Sequence, residues 1–392
     1  MPSRHNILEE LATKLAEVRQ SDLFRQRRAA TLPCSPLYDY AGQSFLSFAS
    51  NDYLGLANST ALIEAAQRGA KRWGVGSGAS HLVSGHTLAH DALEQRLAAF
   101  TGFEACLSFS TGYLANLAVP PALLGRGDAI FADRLNHASL VDATQLARAD
   151  LTRYPHLDLV RLDNALQASK AVRKMIISDA VFSMDGDIAP LADLIKLADK
   201  HDAWLLIDDA HGFGVLGPQG RGSLAEITER SPRLILMGTL GKAAGVAGAF
   251  VAGSATVIDW LLQKARPYIF TTASPPLLAE TLLCALDLIE HGDALRAQLN
   301  RNIELLRNSL HLRRFRLLPS RTAIQPIVVG DNAVALKAST RLRELGLYVP
   351  AIRPPTVPTG SARLRISLSA AHTEADTKRL VDALHTIENE LA

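Results

Sequence analysis

The sequence is poor in cysteine, and its three cysteines form no recognisable pattern. Cys34, Cys106 and Cys284 lie far apart in a chain of 392 residues. An odd number of widely spaced cysteines argues against a disulfide scaffold and against a cysteine-based zinc site. We therefore expect reduced thiols in a cytoplasmic protein, with no bound metal.

The sequence also lacks a signal peptide, a membrane span and a strong charge imbalance. Its first 20 residues alternate charges with leucines and contain no apolar core of the signal-peptide kind. The most apolar stretch, residues 234–253, is broken by glycines and by Lys242. The net charge is +2, so neither nucleic acid nor a membrane is expected as a partner. The basic segment FRQRRAA, residues 24–30, is typical of a solvated helix face.

The length and the apolar pattern indicate an α/β protein with two domains. Between about residues 90 and 260, short apolar runs alternate with helical periods, which predicts a mostly parallel sheet covered by helices on both faces. The six candidate strands there are ACLSFS, DAIFAD, KMIISDAVFS, AWLLIDDA, RLILMGT and GAFVAG. A helix over about residues 277–310 and the strands AIQPIVVG, LYVPAI and ARLRISLS predict a smaller C-terminal α/β domain. An amphipathic helix is expected over residues 1–30.

Polar and titratable residues follow five of the predicted strands. These groups are residues 111–113, 133–137, 183–187, 208–211 and 239–242. In an open parallel sheet, ligands bind beyond the carboxyl ends of the strands. We therefore expect the five groups to converge on one reactive site.

Lys242 is the only charged residue between Arg233 and Asp259. Burial lowers the pKa of a lysine and frees its amine to act as a nucleophile or base. Asp208 ends a buried strand, with His211 three residues further on. By themselves these two residues could equally be a helix cap and a surface histidine. An aspartate and a lysine at separate strand ends together suit pyridoxal phosphate, because the aspartate keeps the ring nitrogen protonated while the lysine binds the aldehyde. The alternative is a lysine that extends from its loop into solvent.

Three glycine-rich segments match other binding motifs only in part. GFGVLG, residues 212–217, follows a strand as a dinucleotide-binding loop would, but four residues intervene and a proline follows. GTLGK has the wrong glycine spacing for a P-loop and is followed by alanine in place of serine or threonine. GVGSGASHLVSG is either a flexible loop or a pocket of backbone amides for an anion. A nucleotide-dependent oxidoreductase and a non-catalytic binding protein therefore remain as alternative functions.

Seven motifs in combination resemble those of the α-oxoamine synthases, pyridoxal-phosphate enzymes that join an amino acid to an acyl thioester with loss of carbon dioxide. The motifs are SNDYLGL, GSGASHLVSG, LNHASLVDA, FSMDGDIAPL, DDAHGFGVLG, GTLGKAAG and AIRPPTVPTGSARLRISLSAAH. The resemblance implies the type I fold of pyridoxal-phosphate transferases, similar to aspartate aminotransferase. It also implies a homodimer with a shared active site. The expected divisions are an N-terminal segment (1–50) packing with the small domain, a large cofactor domain (51–285) and a small domain (286–392).

The resemblance also implies roles for individual residues. Lys242 would form the Schiff base with the cofactor and move the substrate Cα proton, and Asp208 would pair with the ring nitrogen. His137 would stack on the ring. His211 and Ser183 would bond the ring oxygen. The residues expected near the cofactor phosphate are Gly112, Tyr113, Thr239 and, from the partner subunit, Thr272. Those expected to bind substrates are Arg365 for the amino-acid carboxylate, Arg25 and Thr356 for the acyl group, and Asn51 at the site mouth.

The segments AIRPPTVP and DNAVAL are more similar to family members that use L-alanine and a pimeloyl thioester in biotin biosynthesis than to glycine-using members. The expected reaction is therefore a decarboxylative condensation of these two substrates. A glycine-using synthase is the alternative. The acyl donor could be a coenzyme A or a carrier-protein thioester, and Arg25, Arg27 and Arg28 could supply a basic face for an acidic carrier.

Overall fold

The computed structural model describes residues 6–21, 23–227 and 231–391, and all structural statements below concern these residues. The strands are β1 (Leu37–Tyr40), β2 (Gln43–Ser47), β3 (Ala105–Phe109), β4 (Ala129–Asp133), β5 (Asp150–Tyr154), β6 (Lys174–Asp179), β7 (Trp204–Asp208), β8 (Leu234–Thr239), β9 (Ala249–Gly253), β10 (Arg316–Leu317), β11 (Ile324–Gly330), β12 (Leu347–Tyr348), β13 (Ala351–Ile352) and β14 (Ala362–Ser367). The α-helices are α1 (Ile7–Gln20), α2 (Thr60–Trp73), α3 (Leu88–Thr101), α4 (Gly112–Leu123), α5 (Ala138–Ala147), α6 (Leu159–Ala168), α7 (Leu191–Lys200), α8 (Ala255–Lys264), α9 (Arg266–Ile269), α10 (Pro276–Glu290), α11 (Asp293–Ser309), α12 (Asn332–Glu344) and α13 (Glu374–Leu391).

A seven-stranded sheet with the order β3-β9-β8-β7-β6-β4-β5 forms the centre of the molecule. Its strands pair in parallel except for β9, which runs antiparallel to both neighbours. The six predicted strands and the predicted fold class are confirmed. The edge strand β5 was not predicted, because its sequence DLTRY is mostly exposed and shows no apolar run.

Both faces of the central sheet are covered. Alternate side chains along β6 belong to two separate hydrophobic clusters, with Ile176 in one and its neighbours Met175 and Ile177 in the other. This is why the central strands read as continuous apolar runs rather than as alternating ones. The register places Asp179 of β6 beside Asp208 of β7, so two acidic side chains end neighbouring strands.

The C-terminal part carries a four-stranded antiparallel sheet with the order β10-β11-β14-β13. A small sheet, β1-β2-β12, joins the two ends of the chain, since β2 pairs in parallel with β12. The N-terminal strands therefore lie against C-terminal ones. The division at residues 50 and 285 stays a prediction.

Two helix predictions were wrong in extent. The helix expected over residues 277–310 is two helices, α10 and α11, which are separated at His291 and Gly292. The buried Arg296 side chain donates to the carbonyl of Ile289 and so supplies a partner for the end of α10.

The N-terminal helix α1 spans only Ile7–Gln20, and residues 24–29 are irregular, so the helix-face interpretation of FRQRRAA was wrong. Residues 1–5 of that prediction lie outside the described residues. The side chains of Leu8, Leu11 and Leu15 are exposed, so the described part of the chain leaves their face of α1 uncovered. No helix in the described ranges is both long and apolar enough to span a bilayer.

Candidate active site

A cavity of about 190 Å³ lies at the carboxyl ends of the central strands. Its lining residues are Gly112, Tyr113, Asn116, His137, Ser139, Asp179, Asp208, Ala210, His211, Met237, Thr239 and Lys242. Four of the five groups predicted at strand ends contribute to this lining. The group 183–187 does not, because β6 ends at Asp179, so that Asp179 takes the place expected for Ser183.

Lys242 enters the cavity from the turn between β8 and β9. Its Nζ lies 2.8 Å from Nε2 of His211. Burial lowers the pKa of this amine to about 8; the nearby Asp208 carboxylate opposes that shift, and Arg365 adds to it. The turn packs closely on the chain after β2. A Cβ added to Gly245 would lie only 2.6 Å from the backbone nitrogen of Ala57, so no larger residue fits there. The small residues around the lysine thus allow close packing.

A chain of hydrogen bonds runs from Lys242 through His211 to Tyr53. The Tyr53 hydroxyl lies 2.6 Å from Nδ1 of His211 and 3.2 Å from Oδ1 of Asn51. Burial, with Lys242 close by, holds the pKa of His211 well below its ordinary value, so the ring is neutral at physiological pH. Tyr53 had no predicted role, although it lies inside the motif SNDYLGL. A tyrosine in a polar, glycine-containing turn was the available signal.

Asp208 faces the cavity with both carboxylate oxygens bonded. Oδ2 accepts from the side-chain amide of Asn116 at 2.7 Å, and Oδ1 accepts from the backbone N–H of Ala210 at 2.9 Å. Asn116 had no predicted role; it is a single amide within the otherwise apolar helix α4. Its Oδ1 is buried and has no hydrogen-bond partner in the described part of the chain. The site therefore holds a carboxylate and an unused acceptor side by side.

His137 and Asp179 also line the cavity and contact each other. The backbone N–H of His137 donates to Asp179 Oδ2 at 2.8 Å, and the His137 ring lies 2.7 Å from the hydroxyl of Ser139. Burial and the neighbouring Asp208 raise the pKa of Asp179 well above its ordinary value. Burial lowers the pKa of His137. Asp179 was missed, although an acid at the end of a buried apolar run was the signal used for Asp208.

The first turn of α4 presents backbone amides to the cavity. Thr111 caps this helix, and Gly112 and Tyr113 line the cavity at its start. A Cβ on Gly112 would lie 3.7 Å from Oγ1 of Thr239, whose hydroxyl donates to the carbonyl of Gly248. Helix N-termini carry unpaired N–H groups and partial positive charge, which suits a phosphate. Three of the four residues predicted near the phosphate, Gly112, Tyr113 and Thr239, are thus brought together.

Arg365 lies on β14 beside this cavity, buried between two segments. Its guanidinium donates to the carbonyl of Ser183 at 2.6 Å, to Oγ of Ser367 at 2.9 Å and to Oδ1 of Asn51 at 3.2 Å. Ser183 therefore contacts Arg365 through its carbonyl, whereas the prediction placed it at the cavity. Asn51 joins Arg365 to the Tyr53 hydroxyl.

Three further predicted site residues do not line the cavity within one chain. Thr272 is exposed and forms a short bridge with Ser80. Arg25 is exposed in an open groove that Arg353 also lines, and Thr356 is exposed in a turn after Arg353. Their predicted roles depend on a second subunit or on a long substrate.

The dinucleotide alternative lacks the structural context it needs. GFGVLG forms a series of turns packed on Asp209. In the described residues between it and β8, the only helical element is the single 3-10 turn Pro218–Gly220. A dinucleotide loop requires an α-helix at this point. The groups that line the cavity instead fit pyridoxal phosphate. They comprise an amine for its aldehyde, a carboxylate for its ring nitrogen and a helix N-terminus for its phosphate.

Residues 43–384 match the family model described as Aminotransferase class I and II. The chain belongs to this family. It is 60% identical over 387 residues to the 8-amino-7-oxononanoate synthase of Herminiimonas arsenicoxydans. This match covers 97% of this chain and 100% of that one. A serine palmitoyltransferase from S. paucimobilis with a bound PLP–myriocin aldimine superposes with a TM-score of 0.92 at 29% identity, over 99% of each chain. The 8-amino-7-oxononanoate synthase of Francisella tularensis superposes with a TM-score of 0.75 at 31% identity, over 88% of this chain and 97% of that one.

For this aminotransferase-family chain, the lowered pKa of Lys242 predicts a distinctive labelling profile. In cofactor-free protein, acylation of Lys242 should rise with pH through a midpoint near 8, because only the neutral amine reacts. Competitive labelling followed by mass spectrometry of the Lys242 peptide measures this. The peptide containing Lys170, which is exposed, serves as the internal control for reagent and digestion. A Lys242 profile without a midpoint near 8 would contradict the prediction.

Replacing Tyr53 with phenylalanine should lower the free energy of unfolding by about 1–3 kcal/mol, because it leaves the buried Nδ1 of His211 without a partner. Denaturant titration of the cofactor-free protein measures this change. Tyr40→Phe is the matched control, since the Tyr40 side chain is only half-buried, and it should change stability by no more than about 0.5 kcal/mol. Equal effects of the two substitutions would show that the Tyr53 bond contributes nothing specific.

Proposed function

We propose that this protein condenses L-alanine with a pimeloyl thioester to give 8-amino-7-oxononanoate, carbon dioxide and the free thiol, with pyridoxal phosphate as cofactor, in biotin biosynthesis. The observation that carries the proposal is the 60% identity to an 8-amino-7-oxononanoate synthase over 97% of the chain. The lysine, carboxylate and helix N-terminus that the chemistry needs lie together in one cavity.

Bound pyridoxal phosphate supplies an electron sink for the bonding electrons of the substrate Cα–H bond. Asp208 would hold a proton at the ring nitrogen, and its negative charge is kept in place by Asn116 and by the N–H of Ala210. Gly112 and Tyr113 would hold the phosphate with their backbone amides. His137 would lie along one face of the ring.

Lys242 would move the proton at the substrate Cα. A pKa of about 8 leaves a useful fraction of neutral amine near physiological pH, and general bases work best when their pKa lies near the working pH. The neutral His211 ring, fixed by Tyr53, keeps the Nζ of Lys242 directed into the cavity. His211 would also bond the ring oxygen of the cofactor.

Arg365 would bind the carboxylate of alanine, since a planar guanidinium can donate two parallel hydrogen bonds to it. Asn51, Ser183 and Ser367 hold the guanidinium at the edge of the site. The same arginine lies close enough to Lys242 to disfavour its charged form. When the substrate carboxylate pairs with Arg365, the positive charge near Lys242 is offset. Substrate binding would therefore raise the pKa of the Lys242 amine.

We further propose a homodimer in which the exposed Thr272 serves the partner's site. Thr272 is exposed in the single chain, and so are the apolar side chains of Val75, Val83 and Phe270. Both observations support a second subunit that covers these residues in the assembled enzyme. The groove lined by Arg19, Arg25, Arg28 and Arg353 would suit an acidic acyl carrier. A cytoplasmic location stays a prediction.

Product analysis tests the proposed reaction. The purified enzyme, loaded with cofactor, is incubated with L-alanine or glycine and with pimeloyl-coenzyme A or the pimeloyl carrier protein, and the products are identified by mass spectrometry. We expect 8-amino-7-oxononanoate from alanine. A shorter-chain acyl-coenzyme A serves as the matched donor control. Preferred turnover of glycine with a short acyl donor would favour the glycine-using alternative and contradict the proposal.

A further inference from the structure

Three histidines outside the active site gather at the start of α3. His81 and His86 lie in and just after a single π-helical turn, residues 81–85, and His90 lies in the first turn of α3. One ring nitrogen from each lies within 4.8 Å of the other two. The Nδ1 atoms of His81 and His86 are only 2.7 Å apart. His81 lies in the segment GVGSGASHLVSG, for which the sequence leaves a flexible loop and an anion-binding pocket as interpretations, whereas His86 and His90 follow it.

Two of these rings are oriented through their second nitrogen. Nε2 of His86 lies 2.9 Å from a carboxylate oxygen of Asp91, and Nε2 of His90 lies 2.8 Å from the backbone carbonyl of Ser274. Such oxygen atoms accept the ring N–H and direct the remaining lone pair toward the other side of the imidazole. Proteins hold metal-binding histidines in this manner, through a carboxylate or a carbonyl on the far nitrogen. The His81 ring is fixed by stacking on Tyr268, with ring centroids 4.5 Å apart.

The spacing suits a small divalent cation. Zinc–nitrogen bonds of about 2.0–2.1 Å in tetrahedral geometry place the ligand nitrogens about 3.3 Å apart. The observed separations, from 2.7 Å up to 4.8 Å, bracket this value. Nδ1 of His90 now accepts the backbone N–H of Thr87 at 3.1 Å, a bond that coordination would replace.

We propose that His81, His86 and His90 bind one divalent transition cation of the zinc class per chain. Imidazole nitrogens favour such cations over magnesium and calcium, which prefer oxygen ligands. All three protein ligands come from one chain, a water molecule would complete the tetrahedron, and the site is independent of the proposed catalytic function. The ion replaces the direct bond between His81 and His86 and links the π-helical turn to α3.

The bound ion would stiffen a segment that carries a predicted site residue. The turn preceding the cluster is bonded to residues 272–274, since the Ser77 hydroxyl donates to the carbonyl of Ser274 at 2.6 Å and the Ala273 N–H donates to the carbonyl of Ala79 at 2.9 Å. His90 contacts the same carbonyl. Cation binding therefore stabilises the contact between this turn and the segment that includes Thr272.

Calorimetric titration of the holoenzyme tests the site. The protein is prepared without a histidine tag, treated with a chelator and dialysed free of unbound cofactor. We expect one Zn²⁺ bound per chain, a higher unfolding temperature in its presence and no heat from Mg²⁺ under the same conditions. Co²⁺ should bind with the intense visible d–d bands of tetrahedral coordination. Absence of a stoichiometric Zn²⁺ site would overturn the proposal.

Substitutions locate the ion. His86→Asn should abolish the site, and Asp91→Asn should weaken zinc affinity about 10–100-fold, because it removes the carboxylate that orients His86. His291→Asn is the matched control, since His291 is exposed and lies outside the cluster, and it should bind as the unaltered protein does. His81→Gln replaces His86→Asn if the latter does not retain bound cofactor. Unchanged zinc affinity in the ligand variants would show that the ion binds elsewhere and would contradict the assignment.

Discussion

Replacing Lys242 with alanine should reduce kcat by about 10²–10⁴-fold or more, because it removes the only amine among the described residues that line the cavity, and with it the general base. The substitution should also abolish the absorbance band of the covalently bound cofactor when no amine substrate is present. Steady-state kinetics and the visible spectrum of the reconstituted protein measure both effects. The site would then keep its shape but lose its reactive group.

Lys170→Ala is the control for this substitution, since Lys170 is exposed in the segment before β6. It should leave both the spectrum and kcat unchanged. A covalent-cofactor band that persists in Lys242→Ala without added amine would refute the role of Lys242. Added alanine should restore a band in the variant, which separates loss of the covalent anchor from loss of the binding site.

Asp208→Asn should lower kcat by a similar factor, about 10²–10⁴-fold, because an amide cannot keep a proton on the ring nitrogen of the cofactor. The substitution also places the new side chain against the Asn116 amide, which now donates to the Asp208 carboxylate. We expect weaker cofactor binding and an altered absorbance spectrum. Equilibrium dialysis of the cofactor and steady-state kinetics measure the two effects.

Asp209→Asn is the informative comparison, because Asp209 is the next residue but faces another loop. Its carboxylate accepts from the N–H of Ser223 at 2.7 Å and from its hydroxyl at 2.5 Å, and burial raises its pKa to about 7. This substitution should change stability and leave cofactor affinity and the spectrum nearly unchanged. Equal loss of cofactor binding in the two variants would show that the charge at Asp208 has no specific role.

Much of the site could be predicted because its residues follow apolar strands in sequence. Asp208, His211 and Lys242 lie directly after β7 and β8, and the parallel register brings those strand ends together. Asn116 and Tyr53 could not be placed in the same way, because they lie within a helix and a turn. Their contacts with Asp208 and His211 span 92 and 158 residues of chain. No local pattern encodes a pairing of that length.

The fold class, the cofactor chemistry and the family could all be predicted from the sequence, because apolar periodicity sets the strand and helix types and the motifs keep reactive residues at strand ends. That Asp179 lines the cavity and Ser183 does not could be seen only in three dimensions, since the end of β6 depends on its pairing with β7. The same holds for the cluster of His81, His86 and His90. A π-helical turn brings them together, and the positions of the side chains around such a turn depend on backbone geometry that residue spacing alone does not specify.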